Sequence, residues 1–126
     1  MKGDPTKSDS ERKEDDLYSS FSGIDRVIHE PSRMHIMVVL SEVDTADYAF
    51  LMNQTGMTWG NISSHLSKLE TAGYVRIDKE FVGKKPHTLV SITDEGKNQL
   101  RRYRFEMDGL LKAIEMKGRP VHPHGD

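Results

Sequence analysis

The chain has 126 residues, 35% apolar and 30% charged, with a formal net charge of −2 and no cysteine. That length fits one domain with tails, and the absence of thiols excludes disulfides, thiolate metal sites and a cysteine nucleophile. The longest unbroken apolar run, Ile36–Leu40, cannot span a bilayer, and the N-terminus lacks the apolar centre of a signal peptide, so a soluble, cytoplasmic protein is expected.

Charge is unevenly placed along the chain. Residues 1–20 sum to −2, residues 21–57 to −3, residues 58–93 to +2 and residues 94–126 to +1. The first 20 residues carry only Met1, Leu17 and Tyr18 as apolar side chains. Such a segment cannot bury enough surface to offset its ordering entropy, so a disordered tail is expected over 1–20.

Phe21, Ile24, Val27 and Ile28 recur at helical spacing and predict a first helical piece. Pro31 suits the first position of a second helix, where its missing N–H is no loss. Ile36, Met37, Val39 and Leu40 give that helix a buried side. A short helix follows, capped by Asp44 or Thr45, with Tyr48, Ala49, Leu51 and Met52 as apolar members and Gly56 as its end.

The stretch MTWGNISSHLSKLETAGYV, residues 57–75, holds both a helix start and a helix stop. Thr58 is a good N-cap, and Met57 before it can staple onto Ile62. Gly73 supplies a left-handed closing residue, and Tyr74 beyond it can fold back onto Leu69. On a helical wheel Ile62, Leu66 and Leu69 form one apolar stripe. Gly60, Asn61, Ser64, Ser67, Lys68 and Thr71 lie broadly opposite, with Ser63 and His65 on the flanks. A solvated face normally carries long residues of good helix propensity. Short polar residues cost helix stability there, but they allow close approach to a partner. The DNA major groove, about 12 Å wide, is such a partner.

The preceding helix and its glycine turn complete a helix-turn-helix, whose second member places its N-terminal residues on base edges. That puts Thr58, Trp59, Gly60, Asn61, Ser63 and Ser64 nearest to DNA, with Ser67 and Lys68 further along the same helix. Asn61 suits an adenine edge, Ser64 a base or phosphate, and Trp59 a thymine methyl group. Trp59 would equally serve as a partly buried anchor at the helix start, and His65 fits better as a histidine packed on the stripe edge. Next, YVRIDKEF and HTLVSIT flank VGKKP and predict a hairpin. Lys79, Lys84, Lys85 and His87 stand at or near its tip, where cations can reach phosphates or the minor groove. Lysines near a turn are also commonly just solvated.

Thr93 caps a last helix that runs to about Met116, with Asp94 and Glu95 in its first turn as the helix dipole prefers. Leu100, Tyr103, Met107, Leu110 and Ile114 step by three and four, and Leu111 widens the seam. A narrow seam of this kind favours a partner helix and hence a homodimer. The other reading is an amphipathic helix packed on its own domain. Residues 117–126, with two prolines and two glycines, are expected to form a flexible tail.

Together these elements predict an α+β fold, mainly α. It divides into a helix-turn-helix with hairpin over 21–93, a dimerisation helix over 94–116, and tails at either end. The segments HEPSRMHIMVVL, NISSHLSKLETAGYV and EFVGKKPHTLVSITDEGKNQL resemble the winged-helix transcriptional regulators of the MarR and ArsR type, in their small single-domain branch from bacteria and archaea. The likeness spans roughly residues 22–115. It implies a homodimeric winged helix-turn-helix repressor or activator that binds double-stranded DNA. Base contacts would come from the helix of about 58–72, and wing contacts from about 79–88, with Lys84, Lys85 and His87 among them. Two departures matter. Relatives often carry arginine where His87 stands, and a neutral imidazole weakens the expected minor-groove contact or makes it pH-sensitive. Metal-sensing relatives use cysteine thiolates, which this chain lacks.

His29, His35, His122 and His124 have no further ligands at metal spacing, so no metal or other cofactor is expected. No phosphate loop, nucleophile elbow or paired catalytic carboxylate occurs, so no enzymatic activity is expected. A small-molecule effector could sit between the last helix and the DNA-binding core of a dimer, but no residue set specifies its chemistry. The alternative function is a winged-helix protein-interaction module without specific DNA binding, for which the modest +2 charge of residues 58–93 argues.

Overall fold

The computed structural model describes residues 23–115 and Gly118. The expected N-terminal tail, Phe21, Met116 and the rest of the C-terminal tail fall outside these. Among the described residues the order is α1 (Pro31–Val43), β1 (Thr45–Asp47), α2 (Tyr48–Thr55), α3 (Trp59–Thr71), β2 (Val75–Val82), β3 (Lys85–Ile92) and α4 (Asp94–Lys112), followed by a 3₁₀ turn over Ala113–Glu115. The three strands form one antiparallel sheet in the order β1-β3-β2.

The helical piece expected from Ile24, Val27 and Ile28 is instead a run of turns over residues 23–30. The Asp25 carboxylate explains why, because its Oδ1 accepts the backbone N–H groups of Val27 (2.8 Å) and Ile28 (3.1 Å). Short acidic side chains compete with helix ladders in this way. Pro31 then disfavours helical backbone in the residue before it, and Glu30 is extended. Glu30 serves as the cap of α1, accepting from Ser32 and Arg33 N–H at 3.0 and 2.9 Å. Ile24 and Ile28 are buried as their spacing suggested.

The cap of α2 also differs from expectation. Asp47, not Asp44 or Thr45, accepts the Phe50 N–H at 2.8 Å. Thr45 and Ala46 are drawn into β1, paired with Ser91 and Val90 of β3. Asp44 closes α1 in a positive-φ conformation, with its N–H on Leu40 O.

The core lies where α1, α2 and α3 meet the sheet. Ile28, Ile36, Met37, Leu40, Leu51, Ile62, Leu66, Leu69 and Val90 are its fully buried members. Each such side chain contributes about 1.5–3 kcal/mol of burial. At its C-terminus α3 ends in a Schellman motif, with Tyr74 N–H on Leu69 O and Gly73 N–H on Glu70 O, both 2.9 Å. Gly73 takes φ +85. The chain is thereby turned straight into β2. Thr93 caps α4 by accepting the Gly96 N–H at 2.9 Å.

Candidate nucleic-acid interface

Gly56 ends α2 with φ +73, and three residues later α3 begins. Thr58 caps it by accepting the Asn61 N–H at 3.2 Å. Ile62, Leu66 and Leu69 are fully buried, so the stripe read from sequence anchors the helix. Its outer face is bare: Thr58, Trp59, Gly60, Asn61, Ser64, Ser67, Lys68 and Thr71 are exposed and Ser63 is half-buried. Trp59 is 60% exposed, with its ring 5.9 Å from that of Tyr48. It leans on α2 but remains open to a partner. A Cβ built at Gly60 would meet nothing within 4 Å, so packing among the described residues does not call for glycine there.

His65 turns inward. Its Nδ1 lies 3.2 Å from Arg33 Nη1 and 3.5 Å from Glu30 Oε2. Arg33 Nε donates to Val27 O at 2.6 Å. Partial burial opposes ionisation of Glu30, but N–H bonds from Arg33 and Ser32 outweigh it and hold the carboxyl below its usual range. This cluster ties α3 to the start of α1, which is a packing role for His65.

Beyond α3, β2 and β3 run further than the sequence suggested, pairing up to Val82 and Lys85 and leaving only Gly83 and Lys84 at the tip. Gly83 has φ +66 and Lys84 is not among the positive-φ residues, the pattern of a type II′ turn. Pro86 is tolerated because β1 pairs only with residues 89–91 of β3, so its missing N–H faces an open edge. Lys79, Lys84 and Lys85 are exposed. His87 is held between two carboxylates. Its Nε2 is 3.3 Å from Asp47 Oδ2 and its Nδ1 3.3 Å from Glu80 Oε1. Hydrogen bonding to Asp47, then to Glu80, raises its pKa above that of an ordinary histidine. A cleft of 450 Å³ separates this hairpin from α3, lined by Trp59, Ser63, Lys79 and His87 among others.

Several cations elsewhere are committed to carboxylates: Arg76 to Asp78 (2.8 Å), Lys97 to Asp44 (3.0 Å), Arg102 to Glu106 (3.3 Å) and Arg104 to Asp108 (3.8 Å). Arg26, Lys68, Lys79, Lys84 and Lys85 form no ion pair among the described residues. These uncommitted charges stand around α3 and on the hairpin, a layout suited to an anionic partner.

A family model described as a winged helix DNA-binding domain matches residues 32–111. The chain belongs to the winged helix DNA-binding domain family. An uncharacterized protein of Methanocaldococcus jannaschii is 28% identical over 90 residues, covering 71% of this chain and 98% of the relative. Among solved structures, a transcriptional regulator homologue from Pyrococcus horikoshii superposes with a TM-score of 0.71 at 24% identity, covering 81% of this chain and 99% of that one. A MarR-family regulator from Silicibacter pomeroyi gives 0.57 at 17% identity, covering 92% and 73%. The fold is thus that of MarR-type winged-helix regulators, and the family and these structures are described as DNA-binding or regulatory proteins, not as enzymes.

In this winged helix the hairpin is the wing, and α4 packs back across α1. That divides the apolar seam of α4. Tyr103 is buried within its own chain, its hydroxyl 2.8 Å from His29 Nδ1. Leu100, Met107 and Leu110 are half-buried against the core. Leu111 (51%) and Ile114 (77%) stay exposed. Phe105, 80% exposed, lies off the seam. Sequence reasoning singled out neither Arg26 nor Arg33, because their closeness to α3 exists only in three dimensions. Among the described residues no helix is long and apolar enough to cross a membrane, and no three His, Cys, Asp or Glu side chains are grouped to hold a metal ion.

Proposed function

We propose that the chain is a sequence-specific, double-stranded-DNA-binding transcriptional regulator that acts in the cytoplasm as a homodimer. Helix α3 enters the major groove, and the wing, about residues 79–88, lies on phosphates or in the minor groove. The observation that carries this reading is the outer face of α3, where short polar residues and an unneeded glycine leave backbone open to close approach. A glycine in the first turn of a helix costs about 0.5–1 kcal/mol relative to alanine, and a Cβ there would meet nothing within 4 Å among the described residues.

In this arrangement Thr58, Trp59, Gly60, Asn61, Ser63 and Ser64 meet base edges. Asn61 addresses an adenine, and Trp59 a thymine methyl group. Ser67 and the wing lysines Lys79, Lys84 and Lys85 serve the backbone. His87 adds positive charge only when protonated, between two carboxylates that otherwise repel DNA. For the dimer, the support is a cleft of 650 Å³ between α1 and α4, lined by Met34, Val38, Leu100, Met107 and Leu111 among others. Exposed Leu111 and Ile114 extend this surface, and a second copy's helix would cover it. Two α3 helices held about 34 Å apart would fit half-sites one DNA turn apart.

The test is selection from a random duplex library with the full chain. Recovery of a palindrome with half-sites about one turn apart supports the reading. Absence of enrichment favours a protein-interaction module instead. On the selected site, three wing lysines per protomer, each neutralising one phosphate, give a slope of log K against log salt of about −5. Replacing Lys84 and Lys85 by Ala should weaken all sequences alike, while Asn61→Ala should relax preference at one base pair by roughly 1–3 kcal/mol.

A further inference from the structure

Along the second half of α3 lies a second cleft, of 420 Å³, lined by Arg26, Val27, Arg33, Ser67, Lys68, Thr71 and Ala72. Three cations and two hydroxyls converge there from three segments: the turn before α1, the first turn of α1, and the outer flank of α3. Ser63, which borders the cleft toward the wing, and Lys68 are five residues apart. At about 100° per residue they point about 140° apart around the helix. Ser67 and Thr71, which also line it, turn only about 40° and 80° from Ser63, so the second cleft opens onto the exposed face along the second half of α3, while the wing cleft meets the first half at Trp59 and Ser63.

The electrostatics favour an anion. Arg26 and Lys68 are exposed and form no ion pair among the described residues. Arg33 is fixed by its bond to Val27 O and lies 3.6 Å from Glu30 Oε2, which offsets part of its charge. The other carboxylate nearby, Asp25, is occupied by the Val27 and Ile28 N–H groups and the Tyr74 hydroxyl. The balance at the mouth of the cleft is positive, and the two flexible cations sit at its rim.

We propose that this cleft is a second phosphate-binding site for the duplex. Arg26 and Lys68 neutralise backbone phosphates at the end of α3 far from the wing cleft, Ser67 donates its hydroxyl while that of Thr71 is already given to Ser67 O at 2.9 Å, and Arg33 lines the cleft. The assignment rests on the DNA-binding reading and deepens it. The DNA backbone is thus held near both ends of α3, which fixes the depth and tilt of the helix irrespective of sequence.

The experiment measures duplex affinity on the selected site from 50 to 200 mM salt, for the full chain and for R26A, K68A and the double variant. With Arg26 and Lys68 added to the three wing lysines in each of two protomers, the slope should steepen from about −5 to about −9. R26A alone should flatten it by about 1.8, which makes affinity about twelvefold less sensitive to a fourfold salt change. The double variant should return it to about −5 with sequence preference unchanged, and R26K should retain most of the wild-type slope. Thermal unfolding of each variant, matching wild type, ties the loss to the contact rather than to folding. A steep wild-type slope that R26A and the double variant leave unaltered overturns the second site while the DNA reading stands. A wild-type slope near zero overturns both. Saturable binding of inorganic phosphate that depends on Arg26, with an unaltered DNA slope, assigns the cleft to a free anion and overturns the proposal.

Discussion

Gly60→Ala separates what the fold needs from what a partner needs. Gly60 is the second residue of α3, it is exposed, its φ is not positive, and an added Cβ would meet nothing within 4 Å. Alanine is about 0.8–1 kcal/mol better than glycine inside a helix. In the first turn, where the ladder is incomplete, we take about 0.5–1 kcal/mol. For a domain of this size each kcal/mol moves Tm by about 4–8 °C, so the variant should melt about 2–8 °C higher. The same methyl group would stand between the helix backbone and the base edges. Losing one base-edge contact costs roughly 1–3 kcal/mol, or about five- to 150-fold in Kd. Gly109→Ala is the control, because Gly109 is also exposed in a helix with open space for a Cβ. It should raise Tm similarly and leave Kd unchanged. The assays are thermal unfolding by circular dichroism and fluorescence anisotropy on the selected duplex. A Gly60→Ala protein that melts higher yet binds DNA like wild type would refute the placement of this face against bases. One that melts lower would refute the claim that the space is open.

Two more expectations follow from the same geometry. His87 has a raised pKa, so the folded chain holds its proton more tightly than the unfolded chain. Its stabilising effect is complete below about pH 6.5, the unfolded value, and is lost as pH rises through the higher folded value. The urea midpoint should therefore fall between about pH 6 and 8, and His87→Gln should flatten that fall; an equal pH response in the variant would show that the Asp47–His87–Glu80 bridge is not coupled to folding. Gly96 is the opposite case to Gly60, since a Cβ there would lie 2.2 Å from Tyr74 O and 3.1 Å from Ile92 Cγ1. Gly96→Ala should cost about 1–3 kcal/mol in urea denaturation, and a neutral result would mean that α4 can shift on β2 freely.

Sequence alone determined the helices with strong local signals. The segment 57–75 carries its own cap, stripe and left-handed stop, and α3 begins, buries and ends where those residues say. Each of these signals acts within four or five residues along the chain, so no tertiary information is needed to read it. The same holds for the Thr93 cap, for Pro31 at the first position of α1, and for the existence of the hairpin.

What only the tertiary structure decided depends on residues far apart in the chain. The strand Thr45–Asp47 has three residues and no readable alternation; it exists because β3 offers an edge more than 40 positions later. That pairing removes Thr45 from the capping role and gives it to Asp47. Asp47 in turn receives His87 from the wing, which ties that histidine into a bridge between Asp47 and Glu80. The apolar seam of α4 was legible, but periodicity cannot say which side of a stripe meets the chain's own core, and α1 took Tyr103 while Leu111 and Ile114 stayed open. Arg26 and Lys68 share a cleft only because Arg33, His65 and Glu30 lock the start of α1 against α3. Local hydrogen bonds and helical periodicity are written in neighbouring residues, whereas shared clefts and bridges are set by how whole elements pack.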